Sequence, residues 1–100
     1  MTTPGAQTTK TLTFEVRHDP GHAWVKCSKK RLVQFFGEHW RKHFTPSSFE
    51  KGEYVYLEED KDASTLVKRL KENGITPVWR SHYNETKFSR IRNYPRLSPI

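Results

Sequence analysis

From Leu12 to Arg17, and again from Ala23 to Cys27, apolar and polar residues alternate, and Asp19-Pro20-Gly21 separates the two runs. A period of two places Leu12, Phe14 and Val16 on one face of a strand, and Ala23, Val25 and Cys27 on one face of the next. A turn triplet between two such strands predicts an antiparallel hairpin. Everything after it must pack against that face, because the 100 residues allow one core and not two.

The pattern then changes period. Ser28 is placed to cap a helix in which Leu32, Val33 and Phe36 share a stripe, and Gly37 is placed to end it, although Trp40 and Phe44 would continue the stripe if Gly37 lay inside the helix. Thr45-Pro46-Ser47-Ser48 and Glu50-Lys51-Gly52 read as loop and turn. Tyr54 to Leu57 alternates as a strand. Ala63, Leu66, Val67 and Leu70 recur at helical spacing as far as Asn73-Gly74, which is a stop. Ile75 to Tyr83 reads as a last strand, with Pro77 favouring an edge or a strand start.

The expected fold class is therefore α+β: a small mixed or antiparallel sheet of about four strands with two helices, in the order ββαβαβ, followed by a basic C-terminal tail. The helices are expected on one face. The last strand has two open pairings, a parallel crossover or an antiparallel partner in the hairpin. Residues 1–10 are rich in Thr, Pro, Gly and Gln and are expected to form a disordered tail, so a single domain spans 11–100, including the basic segment 84–100.

The charge is lopsided. With 18 Lys and Arg against 11 Asp and Glu, the net formal charge of +7 favours acidic partners, nucleic acid among them. There is one cysteine, Cys27, so no intrachain disulfide is possible. Neither a run of about 18 apolar residues nor a hydrophobic N-terminal signal core is present, and a cytoplasmic protein without a membrane partner is expected.

Three constellations carry possible chemistry. Five of the acids, Glu53, Glu58, Glu59, Asp60 and Asp62, fall between Gly52 and Leu66. Asp60 or Asp62 stands where a helix N-cap belongs, while Glu58 and Glu59 exceed that need. With Asp60 they form either an acidic docking patch for a basic partner or the carboxylates of a small metal-dependent nuclease or hydrolase, with Asp19 as the upstream acid and His22 nearby.

The second constellation, His22, Cys27, His39 and His43, has spacing that superficially echoes a zinc finger. A strand from His22 to Cys27 would hold those two about 16 Å apart at roughly 3.3 Å per residue, too far to share an ion. Cys27 is assigned to the core and not to a Cys27–His39 nucleophile pair. No catalytic residue, cofactor or resident metal is assigned.

The third constellation interleaves cations with rings. Trp40, Arg41 and Lys42 form one group, and the tail contributes Arg80, His82, Tyr83, Lys87, Arg90, Arg92, Tyr94 and Arg96. Guanidinium groups pair with phosphate and aromatic rings stack on unpaired bases, so these are the expected contacts for nucleic acid or another partner. The competing reading has Phe88, Ile91 and Tyr94 anchoring the tail on the core, or its arginines meeting the acids inside the fold. Trp24 and Trp79, placed opposite the core face of their strands, are either a second-face cover or an exposed platform.

GHAWVKCS (21–28), SSFEKGEYVYLEEDKDA (47–63) and SRIRNY (89–94) resemble segments of a group of small proteins from tailed bacteriophages and prophages, which share a G-H-x-W segment, a serine-aromatic turn, a Y-L-E-E-D-x-D block and a basic tail. The resemblance spans most of the chain from about His18. Lys61 stands where a cysteine often follows YLEED in that group, which implies no shared thiol chemistry at this position. The resemblance implies a phage accessory protein in the bacterial cytoplasm, monomeric or homodimeric. It implies no catalytic role. Proteins of this kind often bind a host nucleoprotein or defence complex, as anti-CRISPR and anti-restriction inhibitors do.

Overall fold

In a computed structural model that describes residues 10–84 and 89–98, the expected hairpin forms from β1, Lys10–His18, and β2, Ala23–Ser28. Val16 faces Val25 across the pair. Asp19 closes the turn, its carboxylate accepting from the backbone N–H groups of Gly21 and His22, both at 3.0 Å.

Helix α1, Lys29–Phe36, starts where Ser28 accepts a hydrogen bond from the Arg31 N–H at 3.0 Å. It ends at Gly37, whose φ of +86° lies in the region open to glycine and whose N–H bonds the Val33 carbonyl. Trp40 and Phe44 still reach the core, from a short 3₁₀ turn at Trp40–His43 and the residue after it. Helix α2, Asp62–Glu72, stops at Asn73-Gly74 as expected.

The sheet has five strands rather than four, giving the order ββαββαβ. The additional strand, β3, is Phe49–Lys51, and Gly52 and Glu53 join it to β4, Tyr54–Glu58. Three residues show no readable alternation, and Glu50-Lys51-Gly52 resembles turn chemistry, so the strand is invisible until β4 pairs with it. The spatial order is β3-β4-β2-β1-β5. All neighbours are antiparallel except β1 and β5, Ile75–Tyr83, which run parallel at the edge that Pro77 favours. The sheet is therefore mixed, and α2 is the crossover from β4 over β2 and β1.

Both helices pack on one face. Phe14, Val25, Cys27, Val55 and Leu57 from the strands meet Leu32 and Phe36 of α1 and Leu66 and Leu70 of α2. Leu32, Leu57, Leu66 and Leu70 are fully buried, each stabilising the fold by about 1.5–3 kcal/mol relative to an exposed side chain. Trp79 also lies on this face, beside Phe14 in the register, with ring centroids 6.0 Å apart. This corrects the expectation that it opposes the core: β5 lies parallel to β1 and shares its phase.

The other face carries a second, smaller cluster of Trp24, Phe49 and Ile91, with Tyr56 and Tyr94 packed against it. Here the C-terminal segment is the cover. It makes a 3₁₀ turn at Arg90–Asn93, runs beside β3 through hydrogen bonds from Glu50 N–H to Pro95 and from Leu97 N–H to Ser48, and returns Leu97 to the main core. Phe88 lies outside the described residues, as do residues 1–9 of the expected tail. Lys10 is the first residue of β1. No helix among the described residues is long and apolar enough to cross a membrane.

Candidate nucleic-acid interface

Alternation turns Glu15 and Arg17 of β1, Lys26 of β2, Tyr56 of β4 and Arg80 and His82 of β5 away from the helices. The register sets Arg17 beside His82 and Glu15 beside both Lys26 and Arg80. Glu15 becomes the hub of this face, with Arg17 at 2.9 Å, His82 at 3.2 Å and Lys26 at 3.7 Å. One carboxylate holding three basic groups leaves the surface positive.

Where this face meets the C-terminal segment there is a cavity of about 650 Å³. Arg17, His18, His82 and Arg90 line it together with the rings of Tyr56, Tyr83 and Tyr94. Tyr83 is 67% exposed and its ring stacks on His18 at 4.2 Å. Tyr94 packs against Tyr56 at 5.3 Å, with the Lys51 ammonium 4.7 Å above its ring. Burial raises the pKa of the Tyr56 hydroxyl, which stays a neutral hydrogen-bonding group.

Four of the residues expected from the sequence, His82, Tyr83, Arg90 and Tyr94, therefore meet in one place. Arg80 is exposed on the same sheet face, and Lys42 is exposed on the 3₁₀ turn. Lys87 lies outside the described residues. Arg17, His18 and Tyr56 were not singled out by sequence, although the alternation of β1 and β4 already turns Arg17 and Tyr56 from the core.

The remaining expected contacts serve the fold. Arg92 grips Asp19 through Nε at 2.6 Å and Nη2 at 2.9 Å, and the Ser89 N–H adds a third donor at 2.9 Å. The Asp19 carboxyl is consequently held well below the usual carboxylate range, chiefly by Arg92, despite its burial. Arg96 donates to the Pro46 carbonyl at 3.0 Å and lies over the Phe49 ring at 5.0 Å. Arg41 binds both oxygens of Glu50, at 2.8 and 3.0 Å, while Lys29 adds a contact at 2.9 Å. These cations, led by Arg41, lower the Glu50 pKa to about 2. Trp40 is buried beneath Arg41, whose guanidinium sits 4.5 Å from the ring.

The acidic stretch is divided in an unexpected way. Neither Asp60 nor Asp62 caps α2, which has no side-chain cap. Asp62 is its first residue, and its buried carboxylate crosses to the loop before β3, accepting from Thr45 N–H at 3.0 Å, Thr45 Oγ1 at 2.9 Å and Ser48 Oγ. Ser48 Oγ in turn accepts from the Glu58 N–H at 2.9 Å. Glu58 forms the turn before the helix, its oxygens accepting from the N–H groups of Asp60 at 3.0 Å and Lys61 at 3.1 Å. Glu59 and Asp60 are exposed.

The zinc-like quartet does not assemble. Cys27 is in the core, where burial pushes its thiol up to about 12, so it is neither a thiolate ligand nor a nucleophile at neutral pH. His43 packs on Phe36 at 5.0 Å. Comparison with models of known protein families, with curated proteins and with solved structures finds no match to this chain.

Proposed function

We infer that this chain is a non-catalytic binding protein that engages nucleic acid, most readily a single strand, on the sheet face opposite its helices. The observation that carries the reading is the cavity of about 650 Å³ in which Arg17, His82 and Arg90 converge with Tyr56, Tyr83 and Tyr94. Basic groups that track phosphates, set among rings that stack on bases, are the parts of a single-strand site, and duplex bases are already stacked on one another. The +7 net charge adds long-range attraction. The resemblance to small phage proteins extends the reading to a setting: the strand belongs to a host nucleoprotein or defence complex, and the protein acts as an inhibitor of the anti-CRISPR or anti-restriction kind.

A hydrolytic reading through Glu58, Glu59 and Asp60 has weaker support. Its upstream acid, Asp19, is occupied on both oxygens by Arg92 and backbone donors.

Fluorescence anisotropy with short labelled single-stranded and duplex oligonucleotides at two salt concentrations tests the proposal. Binding should favour the single strand and weaken steeply with salt as counterions are released. Arg90→Ala and Tyr83→Ala should each weaken it, the tyrosine by about 1–3 kcal/mol if it stacks on a base. Absence of binding at low salt, or binding indifferent to both substitutions, overturns the assignment.

A further inference from the structure

We propose that His22, Glu58 and Glu59 form a binding site for a divalent transition-metal ion of the Zn²⁺ type, none of the three being among the residues that line the cavity described above. Among the described residues this is the one group of three His, Cys, Asp or Glu side chains whose ligand atoms all lie within 4.8 Å of one another. The three come from two segments. His22 stands just before β2, and the two glutamates end β4 and begin the turn to α2.

The backbone around each donor is fixed by bonds that do not involve the donors' free lone pairs. The His22 N–H donates to Asp19 Oδ1 at 3.0 Å, its carbonyl accepts from the Asp19 N–H at 2.9 Å, and Asp19 is itself gripped by Arg92. The Glu59 N–H donates to the Ala23 carbonyl at 3.2 Å, which ties the acidic turn to the residue beside His22. Glu58 is held by the Asp60 and Lys61 N–H groups, one on each oxygen, which leaves each oxygen a further lone pair.

Charge adds to the geometry: the neighbouring carboxylates of Glu58 and Glu59 repel each other, and a divalent ion between them relieves that repulsion. The imidazole selects the ion. One neutral nitrogen with two carboxylates suits Zn²⁺ or its neighbours, whereas Mg²⁺ prefers six oxygens. Ligands of a tetrahedral ion at about 2.1 Å stand roughly 3.4 Å apart. The exposed side chains of His22 and Glu59 can rotate to close that distance, and water completes the shell.

Calorimetric titration of the full chain with ZnCl₂ and, separately, MgCl₂ tests the site. One Zn²⁺ should bind per chain, with little heat from Mg²⁺ at the same concentrations. Because even outer-shell changes cost about tenfold or more in metal affinity, His22→Ala and Glu59→Gln should each weaken Zn²⁺ at least that much. The double variant His39→Ala/His43→Ala should leave binding unchanged, and metal-free Glu59→Gln should melt like the parent. Absence of saturable Zn²⁺ binding, loss in the His39/His43 variant but not in His22→Ala, or equal binding of Mg²⁺ each overturns the proposal.

Discussion

The two faces of the sheet are built by different means. The helix face is a continuous apolar core in which α1 and α2 cover β2, β4 and part of β1. The opposite face has two buried rings and one aliphatic side chain, Trp24, Phe49 and Ile91, and relies on two charged anchors, Asp19–Arg92 and Glu50–Arg41 with Lys29, to hold its cover. A small apolar cluster alone leaves little margin over the entropy of ordering a segment. The lesson is that many of this protein's cations are structural on that face. Among the described residues, Arg80 and Arg90 lie beyond the two anchors and stay exposed.

The comparison breaks most readily at the core. Leu66→Ala should destabilise the whole domain by about 2–5 kcal/mol, because it leaves a cavity among side chains that are completely buried. Ile91→Ala should cost about 2 kcal/mol, since its cluster is smaller and can relax toward solvent. Urea denaturation separates the two. Hydrogen exchange of the Ile91 variant should show the segment around 89–98 opening well before α2 does.

Acid probes the anchors. The Glu50 pKa is lowered from 4.5 to about 2, and Asp19 lies lower still. A depressed folded-state value stabilises the fold fully above the unfolded value, and that stability is lost as pH falls through the folded value. The Glu50 contribution should therefore disappear between about pH 4.5 and pH 2, followed by that of Asp19. Glu50→Gln should flatten the first part of that loss. Trp24 fluorescence, which reports the second face, should change before far-ultraviolet dichroism does. Coincident transitions at every pH would mean that the two faces are one cooperative unit.

How much of this was legible follows from the range of each interaction. The hairpin, the Ser28 cap, and the stops at Gly37 and Gly74 depend on neighbours a few residues apart, and all could be read. The parallel pairing of β1 with β5 joins Lys10 to Ile75, and no local pattern encodes it, so the alternation of β5 alone does not fix the face of Trp79. Strand β3 exists because β4 and the C-terminal segment lie on either side of it. The tail was ambiguous for a chemical reason. Arginine over an aromatic ring looks the same in sequence whether the ring belongs to the fold, as with Arg96 and Phe49, or to a bound base.

The smallest effects test where the acidic stretch does its work. A reading from spacing makes Asp60 or Asp62 the cap of α2, so that removing Asp60 costs about 0.5–2 kcal/mol. In the structure no side chain caps α2; Glu58 instead collects the N–H groups of Asp60 and Lys61 in the turn before it, while Asp60 is exposed. Glu58→Ala should therefore show a cap-sized loss, and Asp60→Ala should stay within about 0.5 kcal/mol of the parent, as exposed substitutions do. Thermal melts of the two variants decide it. Asp60→Ala cannot be silent if Asp60 caps the helix, and Glu58→Ala cannot be silent if Glu58 forms the turn that joins β4 to α2.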